Sequence, residues 1–559
     1  MSISRGATDC PLLELTIGDM LDEAASRFPD NQALVSVHQG LRYSYREFLD
    51  EVNRCACALM SLGLGKGDRV GIWSPNYAEW TILQFASSKI GVILVNINPS
   101  YRLNELEYAL QVSGCSVLVI AEQFKTSDYS RMIHELAPEL DDCEPGELRS
   151  KRLPELKTVI RFGDEATPGI WRWRNFMQRE ELVSTRQLAT RQQELSAQDP
   201  INIQYTSGTT GRPKGATLSH RNILNNAHFV AELMHFTDQD RLVIPVPLYH
   251  CFGMVMSNLA CVSHGATMIL PGDAFEPGAV LQAVQDERAT ALHGVPTMFI
   301  AELAHPEFDR FDLSSLRTGI MAGSPCPVEV MKAAIDRMHL DGIEIAYGMT
   351  ETSPVSTQTR SDAPLDKRVG TVGQVHPHVQ IKIVNPEDGA TMMQGEVGEL
   401  CTRGYSVMLG YWNDAEQTAD AIDADGWMHT GDLATMDEEG YVCIVGRIKD
   451  MIIRGGENVY PREIEEFLYT HPKIKDVQVI GVPDAHYGEE IAAWVVLREG
   501  EGVSQDELQA FCRDQIAHYK VPRYFKFVDG FPMTVTGKVQ KFLMREQTVQ
   551  ELDLDNPGS

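Results

Sequence analysis

Strand patterns alternate with helical patterns through the first 120 residues, and this rhythm constrains the fold more than any other feature of the sequence. Strands that alternate with helices form βαβ units, which place parallel strands side by side in one sheet. The sequence therefore predicts an α/β fold, and the same rhythm returns near residue 201. The first predicted strands are 70–73, 91–95 and 117–120, and the helices around them are 45–62, 77–89 and 103–113.

The remaining segments differ from this rhythm in composition. Residues 138–197 are charged and irregular, which predicts an excursion over the surface. Residues 369–446 are rich in Gly, Val and Thr, a composition typical of a β-rich subdomain with tight turns. A chain of 559 residues is too long for one compact core. We therefore expect a body over 1–446 and a small α+β domain over 450–559, joined by the turn-rich residues between them.

The charge balance narrows the class of partner. Lys and Arg number 49 against 78 Asp and Glu, which gives a net charge of −29 and excludes broad nucleic-acid binding. An acidic enzyme that binds a polyphosphate must concentrate its few cations locally, so isolated Lys and Arg in glycine-rich turns are the candidates. The 11 cysteines match no zinc-site spacing and favour a cytoplasmic protein with reduced thiols. No apolar run reaches the roughly 20 residues that cross a bilayer, so no transmembrane segment is expected.

The strongest local signal lies at residues 205–215, where five hydroxyl-bearing residues and three glycines surround Lys214. Glycines let backbone N–H groups turn toward an anion, hydroxyls add neutral donors, and the lysine adds a positive charge. Pro213 and Gly215 flank the lysine, so the segment is not a Walker A loop. Strand-like residues on both sides predict a hairpin that cradles a polyphosphate, with a flexible surface hairpin as the alternative. The predicted nucleotide contacts are Thr206, Ser207, Gly208, Thr209, Thr210, Gly211 and Lys214.

On this segment the chain resembles the acyl-adenylate-forming (AMP-binding) superfamily, which includes acyl-CoA synthetases, firefly-type luciferases and peptide-synthetase adenylation domains. The resemblance covers nearly the whole chain and rests also on segments 345–352, 430–432, 446–466 and 534–541. It implies a large N-terminal domain of two αβαβα-type sheets plus a distorted β-barrel, and a small mobile α+β C-terminal domain. It also implies a two-step reaction. A carboxylate attacks the α-phosphate of ATP to give acyl-AMP and pyrophosphate, and a thiol then displaces AMP.

The resemblance assigns roles around the nucleotide. Glu351 would hold Mg²⁺, because a hard cation takes oxygen ligands, and Thr350 would donate to the α-phosphate. Asp432 would accept hydrogen bonds from the ribose diol. Taken alone, the stretch 345–352 would be a plain capped turn, and Asp432 an ordinary turn residue. The other nucleotide contacts implied are Gly323, Ser324, Tyr347, Gly348 and Arg447.

The resemblance also implies a domain movement between the two steps. Lys538, which taken alone looks like surface charge, would bridge the carboxylate and the α-phosphate during adenylation. Lys449 falls at the family hinge. After a rotation about it, Gly455, Gly456 and Glu457 would line the path of the coenzyme A thiol.

Segment 245–256 should border the acid. It contains no Asp or Glu, whereas amino-acid-activating relatives place an Asp here to pair with the ammonium group of the substrate. An uncharged organic tail is therefore favoured, in a roomy slot of methionines and small residues. His250 corresponds to a family aromatic that turns as the domains exchange, and alone it would be a core histidine. The predicted acyl-pocket residues are Tyr249, His250, Met254, Ala322 and Gly348.

The sequence thus predicts an acyl-CoA ligase that uses ATP, Mg²⁺ and coenzyme A on an apolar, medium-chain acid. The open alternatives are an acyl–carrier-protein ligase, an oxygenase of the luciferase type and a ligase of aryl or methylthio acids. A non-catalytic adenylate-binding protein would lack one of the three residues Lys214, Glu351 and Lys538, and all three are present. Members of the family often form homodimers, so a homodimer is a further expectation.

Overall fold

Four large β-sheets and one two-stranded hairpin, Gln123–Phe124 with Ser127–Asp128, organise the chain in the computed structural model, which describes residues 1–206, 213–513, 515–534 and 537–554. We call the four large sheets the first sheet, the second sheet, the barrel sheet and the C-terminal sheet. The first two are mostly parallel and covered by helices, the barrel sheet is antiparallel, and the fourth belongs to the last hundred residues. The predicted fold class is confirmed, since two α/β sheets, a half-barrel and a small α+β unit are all present.

The first sheet has eight strands and contains all three strands predicted in the first 120 residues. The interpretation of residues 138–197 as a surface excursion is wrong. Two of their segments are parallel strands of this sheet: Ile170–Arg172 forms its edge, and Thr158–Arg161 lies between that strand and Val117–Ile120. In order across the sheet the strands are Ile170–Arg172, Thr158–Arg161, Val117–Ile120, Arg69–Trp73, Ile93–Ile97, Pro200–Thr206, Lys214–Ser219 and Gly410–Tyr411.

The second sheet has nine strands, with antiparallel pairs only near its two edges. Its parallel centre directs the carboxyl ends of several strands to the same edge, which is where α/β sheets place their ligands. In order across the sheet the strands are Gln374–Val375, Val355–Gln358, Gly342–Gly348, Thr318–Ala322, Ala291–Gly294, Arg241–Val243, Thr267–Leu270, Gln32–Ser36 and Leu41–Ser44.

The barrel sheet takes most of its residues from the β-rich stretch 369–446, as its composition suggests. One edge strand comes from the very start of the chain, where Ser4 pairs with Ile381. In order across the sheet the strands are Ile3–Arg5, Val379–Val384, Gly398–Gly404, Met428–Met436 and Val442–Arg447.

Helices cover both large sheets, and the apolar core lies between helices and strands. The helix at 45–61 shows how locally this is encoded: Ser44 and Glu47 form a reciprocal capping box at its start, and Phe48 and Val52 are buried on its inner face. None of the described helices is long and apolar enough to cross a membrane. The α-helices of eight or more residues before residue 450 are Ile17–Arg27, Tyr45–Ser61, Ala78–Ile90, Leu103–Ser113, Tyr129–Leu136, Thr185–Gln193, His220–Leu233, Pro277–Asp286, Pro296–Leu303 and Val328–Met338.

The C-terminal residues form a sheet with its own apolar clusters. Ile464 and Leu468 pack from a helix onto this sheet, and Met544 and Val549 pack from another. The strands are Glu457–Val459, Ile452–Arg454, Gly488–Leu497, Ile474–Asp484 and Tyr524–Phe527, and the helices are Pro461–Tyr469, Gln505–Cys512 and Lys541–Glu551.

Candidate functional site

Glu351 lies where the first and second sheets meet. It belongs to the short turn Thr350–Thr352, just after strand Gly342–Gly348 of the second sheet, and it is only 6% exposed. Its Oε1 accepts a hydrogen bond from the Tyr411 hydroxyl at 2.8 Å and from Thr206 Oγ1 at 3.4 Å. Both donors belong to the first sheet, so the carboxylate is fixed at the base of the predicted phosphate hairpin. The predicted contacts Ser207, Gly208, Thr209, Thr210 and Gly211 lie outside the described residues.

Gly348 allows this turn to form. A Cβ at this position would lie 1.7 Å from the Pro354 carbonyl oxygen, a distance that no side chain tolerates. The backbone of Glu351 is held as well, because its carbonyl accepts a hydrogen bond from the Met408 amide at 2.9 Å. Two chain segments therefore approach each other so closely that only glycine fits at position 348. This close approach brings Thr350 and Glu351 to the edge of the sheet.

Lys214 begins the second strand of the hairpin, and its ammonium lies beside Tyr411. Nζ donates to Gln417 Oε1 and lies 5.1 Å from the centroid of the Tyr411 ring, a cation–π contact. Tyr411 thus contacts both the predicted phosphate lysine and the predicted metal carboxylate. It was not predicted from the sequence, because its strand, Gly410–Tyr411, is too short to show a pattern.

Asp432 joins the second sheet to the barrel sheet. One carboxylate oxygen accepts a hydrogen bond from the Tyr347 hydroxyl at 2.7 Å, and the other lies 2.9 Å from Arg447 Nε. Asp432 and Arg447 face each other across neighbouring strands, which explains the ion pair. Burial, together with the Asp432 charge, raises the pKa of Tyr347 well above its ordinary value, so the hydroxyl stays protonated and donates. The three predicted nucleotide contacts therefore form one connected group.

The turn before Asp432 is fixed by Glu399, which was not predicted from the sequence either. Glu399 Oε1 accepts a hydrogen bond from the Gly431 amide at 3.0 Å, and Oε2 lies 2.8 Å from Nδ1 of His429. The Thr430 hydroxyl accepts from the amide of Asp432 at 3.1 Å. The signal available in the sequence was a glutamate within a strand-like segment. In the structure Glu399 is only 7% exposed, and a buried carboxylate needs partners.

Gly323 and Ser324 follow strand Thr318–Ala322, the direct neighbour of the strand that carries Tyr347. Gly323 has a φ of +91°, a left-handed conformation that glycine adopts without strain. The register pairs Ala322 with Ala346, so the two strands end at the same edge. The structure thus places both residues beside Tyr347, at the carboxyl edge of the second sheet.

Lys538 reaches this group from the C-terminal domain. It is half-buried, and the charges of Arg447, Asp432 and Glu351 all act on its ammonium. Burial, reinforced by Arg447, lowers the pKa of Lys538 below that of an ordinary lysine, while the two carboxylates partly offset this shift. A lysine from a different domain is therefore brought to the residues predicted to hold ATP.

Three contacts dock the C-terminal domain in this orientation. Each contact joins a residue of the C-terminal domain to a residue of the body that lies near the end of a strand or a helix. An added Cβ at Gly537, beside Lys538, would meet Val295 Cγ2 at 2.9 Å, so the turn is tightly apposed to the body. The other two contacts join Arg462 Nη1 to the Ile444 carbonyl at 3.2 Å and the Glu466 carboxylate to the Val328 amide.

His250 caps the short helix Cys251–Gly253. Its Nδ1 accepts a hydrogen bond from the Phe252 amide at 3.3 Å, which leaves the ring proton on Nε2. Burial, with a further contribution from the Lys538 charge, lowers the pKa of His250 to about 3. The imidazole is therefore a neutral hydrogen-bond donor at Nε2, close enough to Lys538 to interact with its charge.

The wall behind His250 is ordered by buried amides. Met254 begins a π-helical segment, Met254–Leu259, and its sulfur accepts hydrogen bonds from Asn96 Nδ2 at 3.2 Å and Gln204 Nε2 at 3.0 Å. Asn96 also donates to the Tyr249 carbonyl at 2.8 Å. The predicted pocket residues Tyr249, His250 and Met254 thus share one uncharged wall.

The predicted thiol path lies apart from this group, whereas Lys449 follows Arg447 closely in the chain. Lys449 is exposed in the turn Ile448–Asp450, directly after the last strand of the barrel sheet. Gly455, Gly456 and Glu457 form an exposed hairpin tip, where the Gly455 amide donates to the Tyr487 carbonyl at 2.8 Å. The structure does not bring this tip to Glu351 or Lys538.

Comparison with known proteins identifies the class. The profile of the AMP-binding enzyme family matches residues 21–412, and that of the AMP-binding enzyme C-terminal domain matches 463–538. The chain belongs to the AMP-binding enzyme family.

Individual relatives are similar over their whole length. YngI of Bacillus subtilis is 51% identical over 545 residues, 98% of this chain and 99% of YngI. The mitochondrial medium-chain acyl-CoA ligase ACSF2 of Rattus norvegicus is 44% identical over 565 residues, 99% and 91% of the two chains. The crystal structure of the anthranilate CoA ligase AuaEII with anthranoyl-AMP superposes with a TM-score of 0.86 at 26% identity, covering 98% and 99%.

Replacement of Tyr411 by Phe tests the hydroxyl that holds Glu351. A hydrogen bond to a charged group contributes about 1.5–3 kcal/mol, so we expect the dissociation constant of MgATP to rise by about tenfold or more. Equilibrium titration with ATP in the presence of Mg²⁺ measures this. Tyr441→Phe is the matched control, because Tyr441 lies over Lys367 away from Glu351. Equal affinities of Tyr411→Phe and the parent protein would show that the hydroxyl does not matter for nucleotide binding.

The pH dependence of a His250→Gln variant tests the neutral imidazole. A pKa of about 3 keeps His250 uncharged at pH 6 and at pH 8, so we expect the variant to slow acyl-AMP formation by the same factor at both values. Single-turnover rates of parent and variant at the two pH values measure that factor. A histidine with an ordinary pKa of about 6.5 would change charge across this interval, and the factor would then differ several-fold.

Proposed function

We propose that the protein activates a medium-chain carboxylic acid with ATP and transfers the acyl group to coenzyme A. The observation that carries the proposal is that Lys538, although it belongs to the other domain, lies within electrostatic range of Glu351, Asp432 and Arg447. The name of the relative ACSF2 supports medium-chain acids and coenzyme A, and the fold neighbour AuaEII binds an acyl-adenylate.

In the first step an oxygen of the acid forms a bond to the α-phosphorus of ATP. The bond from that phosphorus to the bridging oxygen breaks, and pyrophosphate leaves. Lys538 lies between the two anions and neutralises the charge that accumulates as they meet. Asp432 binds the ribose, and Arg447 contacts both the ribose and the phosphate. Tyr347 contacts the adenine ring.

Glu351 is suited to hold Mg²⁺. Two hydroxyls donate to its Oε1, which leaves Oε2 available for ligation among the described residues. Carboxylate and hydroxyl oxygens match the preference of this hard cation. When bound, Mg²⁺ would neutralise charge on the phosphates. Thr350, beside Glu351, is positioned to donate to the α-phosphate.

The neutral wall at 245–256 determines the class of acid. His250 can donate a hydrogen bond from Nε2 without transferring a proton, and Met254 is buried in the wall behind it, where two amides donate to its sulfur. With no charged partner in this segment, a charged tail would be desolvated without compensation. The pocket of Tyr249, His250, Met254, Ala322 and Gly348 therefore favours an apolar chain.

The second step needs a different arrangement of the two domains, 1–446 and 450–559. We propose that rotation about Lys449 withdraws Lys538 and brings Gly455, Gly456 and Glu457 to the acyl-AMP, where they line the thiol path. The thiolate of coenzyme A then attacks the acyl carbon, and AMP leaves with the oxygen. The docking contacts of Arg462 and Glu466 would have to break in this rotation.

An aryl acid is a second candidate substrate, because the fold superposes closely on an anthranilate CoA ligase. The higher identity to a medium-chain ligase favours the aliphatic acid.

We further propose a homodimer in the cytoplasm. The eleven cysteines are all free thiols, which suits a reducing compartment.

Replacement of Lys538 by Ala separates the two steps. We expect the variant to lose acyl-AMP formation, because no other cation replaces the charge between the two anions, while it still transfers the acyl group from supplied acyl-AMP to coenzyme A. Single-turnover assays of each half-reaction measure this. Lys475→Ala, an exposed lysine of the same domain, is the matched control. If both half-reactions fail equally while circular dichroism shows an intact fold, the alternation of domains is wrong.

A screen of acids identifies the substrate class. Pyrophosphate release is measured with straight-chain acids from two to sixteen carbons, and with benzoate and anthranilate, with and without coenzyme A. We expect the highest rates with medium-chain acids and AMP release that depends on coenzyme A, because each buried methylene contributes about 1–3 kcal/mol to discrimination. Activity on the aryl acids alone would replace the aliphatic assignment by the second candidate.

A further inference from the structure

Three metal-ligating side chains converge at a surface pocket that the proposed ligase reaction does not use. The pocket has a volume of about 260 Å³ and lies where helix His220–Leu233 passes the end of helix Ala260–His264. His228 and Glu232 belong to the first helix and His264 to the second. The ligand atoms of the three side chains all lie within 4.8 Å of one another.

The spacing of these atoms is close to that of a coordinated ion. His228 and Glu232 are four residues apart on one helix, so they share a face. Nε2 of His264 lies 3.1 Å, and Nε2 of His228 4.0 Å, from Oε1 of Glu232. Bonds of about 2.0–2.2 Å to a tetrahedral ion place two ligand atoms about 3.3 Å apart. One distance therefore fits already, and a small rotation of His228 would bring the other into range.

The orientation of His264 is set by a neighbouring hydroxyl. Ser263 Oγ donates its only proton to the Ala260 carbonyl at 2.8 Å, so at 2.8 Å from His264 Nδ1 it must accept. In the tautomer with the proton on Nδ1, Nε2 of His264 turns a lone pair toward Glu232. That lone pair and Oε1 of Glu232, 3.1 Å apart, are spaced as two ligands of one ion. Metal-bound histidines are commonly held in this way by their second nitrogen.

We propose that His228, Glu232 and His264 bind a divalent transition-metal ion, with Zn²⁺ as the preferred ion and solvent as the remaining ligand. Two imidazoles and one carboxylate form a recognised Zn²⁺ ligand set, and the imidazoles disfavour Mg²⁺. The ion would connect two helices of the body. Helix His220–Leu233 follows the strand that begins at Lys214, and helix Ala260–His264 ends the segment that begins at His250. The proposal does not depend on the ligase activity.

Isothermal titration of the full-length protein with Zn²⁺ in reducing buffer tests the site. Because eleven free thiols also bind Zn²⁺, the result is the difference between parent and variants. We expect His264→Ala and Glu232→Gln each to lose one equivalent of Zn²⁺ binding, or to weaken it at least about tenfold, since one of three ligands is removed. The control His518→Ala, an exposed histidine in the other domain, retains it.

Thermal unfolding provides a second measurement that does not depend on thiol binding. Zn²⁺ should raise the Tm of the parent and of His518→Ala but not that of the two site variants, because an ion that binds the native state stabilises it. Glu232 is exposed on a helix, so Glu232→Gln should fold normally, and circular dichroism checks this. Equal Zn²⁺ binding and equal Tm shifts in parent and site variants would overturn the proposal, as would a parent that binds no Zn²⁺. Either result would leave the contact between His264 and Glu232 without a metal ion.

Discussion

The carboxylate of Asp432, held between Tyr347 and Arg447, connects the parts of this molecule that must act together. Tyr347 comes from the second sheet, Asp432 and Arg447 from the barrel sheet, and the chain enters the C-terminal domain directly after Arg447. The same charges act on Lys538. The proposed ribose site is thus also the place where charged groups of the two domains interact. Glu399 holds the turn before Asp432 by accepting a hydrogen bond from the Gly431 amide.

The negative charges of the chain and of its proposed substrates explain why the positions of a few cations matter. A chain with a net charge of −29 brings two further anions, an acid and ATP, to one cavity. Repulsion is reduced only by local positive groups, and Lys214, Arg447 and Lys538 are those the fold provides. Lys214 contacts Tyr411 and Gln417, and Arg447 pairs with Asp432, while Lys538 lies within electrostatic range of both carboxylates. Lys538 alone comes from the C-terminal domain, which suits a charge needed in one step and not in the next.

The sequence predicts the fold class and several members of the site because both have local signals. Strands such as 117–120 are continuous apolar runs, and the string of hydroxyls, glycines and a lysine at 205–215 is by itself typical of an anion site. Tyr411, Glu399 and Gln417 were not predicted because their roles depend on contacts between segments far apart in the chain. The strands at 158–161 and 170–172 were missed for a different reason: their residues favour strands, but each segment is short and ends on an arginine within a charged, irregular stretch of sequence.

The edge strand Ile3–Arg5 has a consequence for how the chain acquires its structure. Its partner is the strand Val379–Val384, with Ser4 opposite Ile381, so two thirds of the chain separates the paired residues. Contacts of such long sequence separation form late, because the entropy of closing the loop must be overcome first. During synthesis from the N-terminus, the first strand must wait while both large sheets are built. The barrel sheet, which carries Asp432 and Arg447, gains this edge strand only after that wait, and until then its Val379–Val384 edge is open to other strands.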